Sequence, residues 1–301
     1  MDKLAEFEEL RPLLFSIAYR ILGSVGEAED AVQETWLRFD GSSTRPASTK
    51  AFLSATITRI SIDVLRSARV RREEYVGPWF PEPLLSDPYQ DPDRSAELAD
   101  SVSMALLLLE RLSPLERAVF VLREVFAFGF DEIAEAVGRS EAACRQLVVR
   151  ARRHMQDGRP RFAADRRQRQ ELATRFLGAL KDGDVGELRE LLAADVQLIG
   201  DGGGKAPQVA TTISGAENVA RLLGAVFPRL SGIGVTFEPH EVNGQSGTVL
   251  RDRAGKVLNV MVLDVLDGKI QTIRGVLNPD KLGHLGPVAD AWALTRELRQ
   301  D

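Results

Sequence analysis

Ser113 to Met155 constrains this chain more than any other stretch, because its helix boundaries are spelled out residue by residue. Ser113-Pro114-Leu115-Glu116 sets a cap residue, a proline at the first helical position and a glutamate three residues after the serine. That is a capping box, in which serine and glutamate satisfy each other's orphan amides. Ala118, Val119, Leu122, Val125 and Phe126 follow at helical spacing. Asp131 to Val137 reads as a short helix closed by Gly138, and Ser140 caps another that begins at Glu141. This last helix puts Cys144, Val148 and Ala151 on one face and leaves Arg145, Gln146, Val149, Arg152 and Arg153 facing outward. Two short helices joined by a glycine-containing turn suit insertion into a DNA major groove. Arginine and glutamine there read guanine and adenine edges bidentately.

Charge agrees with the motif. Between Arg139 and Arg169 lie ten arginines, Arg150 among them, against Glu141, Asp157 and Asp165, a local excess of seven positive charges. A solvated face does not need so many, so the segment is expected to bind nucleic acid. The whole chain nevertheless carries a net charge of −5, and residues 1–40 alone account for −5. Arg59, Arg66, Arg69, Arg71 and Arg72 against Asp63 then give +4 over the next helical stretch. Basic patches alternate with acidic ones, so electrostatics alone would bind DNA poorly, and a protein partner is implied.

With 301 residues there is room for two or three domains, each with its own core. No window approaches a membrane-spanning run of apolar residues, so no membrane association is expected. Met1-Asp2-Lys3 leads into an acidic amphipathic helix and not a cleavable signal, which points to the cytoplasm. Cys144 is the only cysteine, excluding an internal disulfide and a cysteine-cluster metal site. No metal and no cofactor are expected.

Apolar residues at Leu4, Phe7, Leu10, Leu14, Ile17, Ala18 and Ile21 predict a first helix over 4–22. Gly23-Ser24 breaks it, and Glu27 to Phe39 is a second helix with acids near its start, where the helix dipole favours them. After a loop over residues 41–48, capped by Ser48 or Thr49, a third helix runs from about Lys50 to Arg71. Prolines 78, 81, 83, 88 and 92 forbid a continuous helix from Val76 to Asp93. Trp79 and Phe80, adjacent aromatics between those prolines, are costly to leave in water, so this linker is expected to dock somewhere.

Glu29-Asp30-Ala31-Val32-Gln33-Glu34-Thr35-Trp36-Leu37 and Ile57-Thr58-Arg59-Ile60-Ser61-Ile62-Asp63-Val64-Leu65-Arg66 resemble region 2 of bacterial extracytoplasmic-function (ECF) sigma factors. The helix-turn-helix resembles their region 4. The resemblance implies that Asp30, Gln33 and Glu34 grip core RNA polymerase. It implies that the loop bearing Arg45 and Lys50 and the helix bearing Arg59 and Arg66 recognise the promoter −10 element. Arg145, Gln146 and Val149, with Arg150, Arg152 and Arg153 beside them, would engage the −35 element.

Beyond an arginine-rich connector, Leu172, Phe176, Leu177 and Leu180 form one helical face, and Asp182-Gly183-Asp184 turns into a second helix, Val185 to Ala193. Strand-like runs follow at 196–199, 209–214, 235–242, 247–250, 257–265 and 270–276, with a helix over 216–226 and a hairpin turn at Leu266-Asp267-Gly268-Lys269. Helices first, then a strand-rich half with one inserted helix, predict an α+β domain. That order resembles the NTF2-like, SnoaL-like cone carried by the sigma-J-like subgroup of ECF sigma factors. Trp79-Phe80-Pro81-Glu82-Pro83, Asp201-Gly202-Gly203-Gly204-Lys205 and Asn278-Pro279-Asp280-Lys281-Leu282 look like hallmarks of that subgroup, and the first two are assigned a regulatory role.

The expected fold is therefore multidomain: two all-α sigma domains, then an α+β cone. The expected boundaries are 1–75 for region 2, 76–100 for the linker, 101–157 for region 4, 158–168 for a basic connector and 169–301 for the regulatory domain. Cones of this type include enzymes, which need an acid or base in the pocket. Asp201, Asp252, Asp264, His240 and His284 are available, but no two share a short motif, so no catalysis is expected. An unidentified small ligand in the cone is a separate expectation, and the three glycines beside Asp201 would also suit an amide nest for an anion. The competing overall reading is a ligand-sensing DNA-binding regulator that works without polymerase. It leaves the acidic and basic helices of residues 27–72 without a purpose.

Overall fold

The computed structural model describes residues 2–43, 45–89, 109–156, 166–207 and 212–298. The expected linker residues 90–100, the opening of the expected region 4 at 101–108, the connector residues 158–165 and the expected strand residues 209–211 lie outside the described residues. Contacts divide the chain into two compact units: Met1–Glu74 with Asp87–Arg159, and Tyr75–Ser86 with Pro160–Asp301. Residues 75–86, mostly the first part of the expected linker, thus group with the C-terminal unit.

In the first unit, α1 (Lys3–Leu22) ends at Gly23 in the left-handed conformation, φ 72°, with the Gly23 amide donating to the Tyr19 carbonyl. The Ser24 side chain accepts from the Glu27 amide and starts α2 (Val25–Asp40). The Ser48 hydroxyl accepts from the Ala51 amide at the head of α3 (Thr49–Glu73). These three helices pack on one another around Leu14, Ile17, Leu22, Val32, Phe39, Leu53 and Ile57. Leu4, expected on the apolar stripe, is instead 48% exposed.

The helix-turn-helix comprises α4 (Pro114–Phe120), continued by a π-helical turn at Val121–Val125, then α5 (Phe130–Val137) and α6 (Glu141–Gln156). Both halves of the Ser113–Glu116 capping box are formed. Gly138, at φ 63°, closes α5, and the Ser140 hydroxyl accepts from the Ala143 amide to start α6. Within this unit α3 also packs against α4 and α5.

The second unit sets α7 (Arg166–Asp182), α8 (Val185–Leu191) and α9 (Ala216–Gly232) against a six-stranded sheet. Its strands are β1 (Leu192–Asp201), β2 (Ile213–Ser214), β3 (Thr236–Val242), β4 (Gln245–Arg251), β5 (Val257–Leu266) and β6 (Lys269–Val276), in the order β2-β1-β6-β5-β4-β3. Only β1 and β6 are parallel neighbours; the remaining pairs are antiparallel. Asp267-Gly268 makes the expected β5–β6 turn with both residues at positive φ, the geometry that suits a two-residue hairpin. Asn243-Gly244 makes an equivalent turn between β3 and β4, which the sequence reading did not single out. Phe176, Leu180, Leu188, Val196, Val219, Leu223 and Ile273 fill the core between helices and sheet. A last helix, α10 (Ala291–Leu298), also absent from the expectation, lies with Ala291, Leu294 and Leu298 against that core. The order is that of the expected α+β domain.

Candidate functional site

On α6 the apolar face is spent on packing. Cys144, Val148 and Ala151 are buried, together with Leu147 and Met155, while Arg145, Gln146, Val149, Arg150, Arg152 and Arg153 are exposed. Val149, 65% exposed, is a branched apolar side chain held in water beside arginines, a placement that suits contact with a thymine methyl. Three of the arginines are pre-positioned by acids: Arg145 pairs with Glu141 at 2.6 Å, Arg152 with Glu124 at 2.8 Å and Arg150 with Glu116 at 3.7 Å. Arg145 also lies 5.0 Å from the Phe130 ring. Burial pushes the Cys144 thiol up despite Arg139 and Arg145 nearby, as befits an unreactive packing residue.

On α2, Asp30 and Gln33 are exposed, and Glu34 is half-buried and paired with Arg38 at 2.8 Å. Leu37, one helical turn beyond, is 58% exposed, so the acidic face ends in an unburied apolar side chain. Among the basic residues assigned to the −10 element, Arg45 pairs with Glu6 at 2.5 Å and Arg66 with Asp63 at 3.1 Å. Lys50 lies 5.9 Å from the Phe128 ring. Arg59 is engaged differently. It donates to the carbonyls of Glu135 at 2.6 Å and Ala136 at 2.9 Å, the C-terminal end of α5, where a helix attracts cations. The structure therefore ties this residue to the helix-turn-helix of its own chain.

A second junction in this unit centres on Asp87, just past the end of the 75–86 segment. Asp87 accepts from Ser16 at 2.5 Å and pairs with Arg20, which also lies 5.5 Å from the Phe126 ring. Burial works to raise the Asp87 carboxyl, but the Arg20 charge and the hydrogen bonds from Ser16, Arg20 and the Tyr89 amide outweigh it and hold it below its ordinary value. Arg117 of α4, 1% exposed, donates to the Arg20 carbonyl at 3.1 Å and pairs with Glu110.

Residues 75–84 form a strap across the second unit. Asp201, at the end of β1, is fully buried and accepts three hydrogen bonds: from the Tyr75 hydroxyl, from the Phe80 amide at 2.8 Å and from Lys281 Nζ at 2.7 Å. Lys281, 5% exposed, also donates to the Phe80 carbonyl and sits 4.2 Å from the Trp79 ring and 4.8 Å from the Tyr75 ring. Asn278 donates to the Tyr75 hydroxyl at 2.8 Å, and the His284 ring meets the Pro83 carbonyl at 2.7 Å. Leu84 and Asn243 exchange two bonds, at 3.0 and 2.8 Å. Phe80, Pro81 and Pro83 are buried, and Trp79 and Glu82 half-buried. Burial, then donation to Asp201, push the Tyr75 phenol up, so it remains a donor.

The glycines after Asp201 serve this cradle. Gly202 is buried, and a Cβ on Gly203, at φ 57°, would fall 2.3 Å from Asn278 Nδ2 and 2.7 Å from the Tyr75 hydroxyl. Gly204, at φ 72°, faces Val76. The Lys205 and Ala206 amides donate to the Gly202 carbonyl at 2.8 and 3.2 Å, and Lys205 Nζ pairs with Asp280. The turn thus already uses the Lys205 and Ala206 amides.

Of the remaining acid–base candidates, the two aspartates are likewise engaged, and the histidine lies near an acid. Asp252 accepts from the Ala254 and Lys256 amides at 2.9 Å, Asp264 pairs with Arg274 and accepts from Gln245 at 3.0 Å, and His240 lies 3.7 Å from Glu238. The second unit does hold a cavity of about 250 Å³, lined by Leu222, Val226, Leu258, Asn259, Leu277 and Leu294 among others. Among the described residues, neither the five candidates nor any charged side chain lines it.

A three-helix bundle with an acidic helix, a helix-turn-helix with a basic exposed face and an α+β extension together describe a sigma factor. Sequence profiles agree: Sigma-70 region 2 matches residues 7–71 and Sigma-70, region 4 matches residues 104–155. The chain belongs to the ECF RNA polymerase sigma factor family. It is 37% identical over 289 residues to the ECF RNA polymerase sigma factor SigJ of Mycobacterium tuberculosis, covering 93% of each chain. It is 30% identical over 279 residues to the probable ECF RNA polymerase sigma factor SigI of the same species, covering 91% of this chain and 93% of that one. A crystal structure of M. tuberculosis SigJ matches with a TM-score of 0.71 at 35% identity, over 93% of this chain and 98% of that chain. The relatives span the extension as well as the two helical modules.

Proposed function

We propose that this sigma factor joins core RNA polymerase in the cytoplasm, directs it to promoters, and is governed in cis by its α+β extension acting through the strap. The Asp30, Gln33, Glu34 and Leu37 face of α2 is the polymerase contact: acids around an exposed apolar residue suit a basic partner with an apolar recess. Arg145, Gln146, Val149, Arg150, Arg152 and Arg153 read the −35 element, and Arg45, Lys50, Arg59 and Arg66 serve the −10 element. Arg59 is then available only once its bonds to Glu135 and Ala136 open.

The observation that carries the regulatory reading is the capture of residues 75–84 by Asp201, Asn243, Asn278, Lys281 and His284. The strap leaves the first unit at Glu74 and re-enters it at Asp87, so it is part of the tether between the two DNA-reading modules. Whatever holds that tether limits the separation those modules can adopt on a promoter, and a tethered grip acts at high effective concentration. The extension works as a regulatory domain and not as an enzyme, a reading favoured by the prior engagement of Asp201, Asp252, Asp264 and His284. It needs no metal or cofactor.

Tyr75→Phe combined with Asn243→Gly tests this. The pair removes a strap hydroxyl and the side-chain acceptor for the Leu84 amide, and glycine keeps the positive φ of residue 243. Run-off transcription by core enzyme should change several-fold, while α2-dependent capture of core enzyme holds. Unchanged transcription by a folded variant would remove the strap from the regulatory account.

A further inference from the structure

We propose that the cavity of the second unit binds a compact, uncharged, apolar ligand bearing a single hydrogen-bonding group, and that its occupancy is read by the strap. The coupling rests on the cis-regulatory reading above; the binding site does not.

The walls define the ligand class. About 250 Å³ of space is bounded by leucine, isoleucine, valine, phenylalanine and methionine side chains, with no charged group among the described lining residues. A charged ligand would lose its hydration there without a counter-charge. Thr295, on α10, lines it too but already donates its hydroxyl to the Ala291 carbonyl at 2.9 Å; the other polar side chain among the described lining residues is that of Asn259, on β5. Its side-chain Oδ1 is buried and has no hydrogen-bond partner among the described residues, although a buried amide oxygen normally has one. A hydroxyl meets that need in either orientation of the amide, because it both donates and accepts. An apolar body with one hydroxyl is therefore the complement of this site.

The same walls end in the strap cradle. Gly200 lines the cavity and precedes Asp201; Leu277 lines it and precedes Asn278. The Leu277 and Asn278 amides both donate to the Asp201 carbonyl, at 2.8 and 2.9 Å. A third wall is α10, whose Leu294 and Leu298 face the cavity while Trp292 Nε1 donates to the Lys205 carbonyl at 3.1 Å. Glu297 pairs with Arg253 at 3.0 Å, so this helix is held at the cavity by polar contacts along its outer side. Filling the cavity presses on three elements that each lead, within one to five residues, to a group holding the strap or to the Asp201–Lys205 turn.

The test uses the full-length protein and two probes, naphthalene and 1-naphthol, followed by fluorescence titration. Saturable binding of both is expected, with 1-naphthol about fivefold tighter, the worth of one net hydrogen bond. Asn259→Leu should erase the preference for 1-naphthol while keeping naphthalene binding, and Leu222→Trp, on the half-exposed rim, should abolish both. Saturating 1-naphthol should also alter hydrogen-exchange protection of the Phe80 and Leu84 amides. No saturable binding, or binding indifferent to both substitutions, overturns the site. Binding as expected with unaltered exchange at Phe80 and Leu84 overturns the coupling. Binding and coupling as expected, with transcription indifferent to strap release, would count against the cis-regulatory reading and leave the site standing.

Discussion

Asp201 has no exposed surface and accepts three hydrogen bonds, one of them from Lys281, itself buried. Replacing it by alanine leaves an ammonium group buried without its counter-charge, so Asp201→Ala should destabilise the second unit by about 3–5 kcal/mol in urea unfolding. Asp201→Leu with Lys281→Met should cost clearly less, since both charges leave together. Equal losses in the two variants would show that the pair is not energetically coupled. On α6, Arg145→Ala and Gln146→Ala should each weaken −35 recognition by ~1–3 kcal/mol in transcription or binding titrations without changing the melting temperature. Unchanged promoter selectivity in both would move the reading face elsewhere. At this scale much was legible. Ser113, Glu116, Gly138 and Ser140 act on amides and carbonyls within a few residues of themselves, and such chemistry is visible in a linear string. Asn259 was not legible: a polar residue within an apolar strand announces no partner and no cavity.

At the scale of elements, α2 presents its acids without needing them for its own packing, which rests on Ala28, Ala31, Val32, Thr35 and Phe39. Charge reversal of Asp30 and Glu34 should abolish capture of core polymerase and leave the circular dichroism spectrum unchanged. Retained capture by the folded double variant would place the contact on another helix. Long amphipathic elements such as α1, α3 and α9 follow from their apolar period, and β5 and β6 from apolar runs flanking Asp267-Gly268. The Asn243-Gly244 hairpin carried an equally clear turn signal between two strand-like runs, and it supplies the anchor for Leu84. Helix α10 escapes a sequence reading because it buries none of its residues fully: it is a half-buried wall, with only Ala291, Leu294 and Leu298 toward the core.

At the scale of the whole molecule, what the sequence does not reveal is destination. Trp79 and Phe80 announce that they need a surface, but their partners Asp201 and Lys281 lie more than a hundred residues away, and those of Arg59 are backbone carbonyls, which leave no trace in residue type. The Arg20–Asp87 junction of the first unit also carries a pH dependence. Because the folded Asp87 carboxyl is held below its ordinary value of 3.8, its contribution is fully present above that value and is lost as pH falls through the lower, folded one. The stability difference between the protein and its Asp87→Asn variant, followed by thermal melting, should therefore be constant from neutrality to about pH 5 and shrink below about pH 4. A difference that grew on acidification would reverse the assigned sign.

The central claim is that a promoter-recognition subunit is controlled by its own extension through residues 75–84, and run-off transcription with purified core polymerase addresses it most directly. On the promoter upstream of its own coding sequence, the full-length protein should yield a specific transcript that core enzyme alone does not. The Tyr75→Phe/Asn243→Gly variant should capture core enzyme equally well and change the yield of that transcript several-fold. No specific transcript from the full-length protein, or identical yields from two folded proteins that bind polymerase equally, would contradict the account.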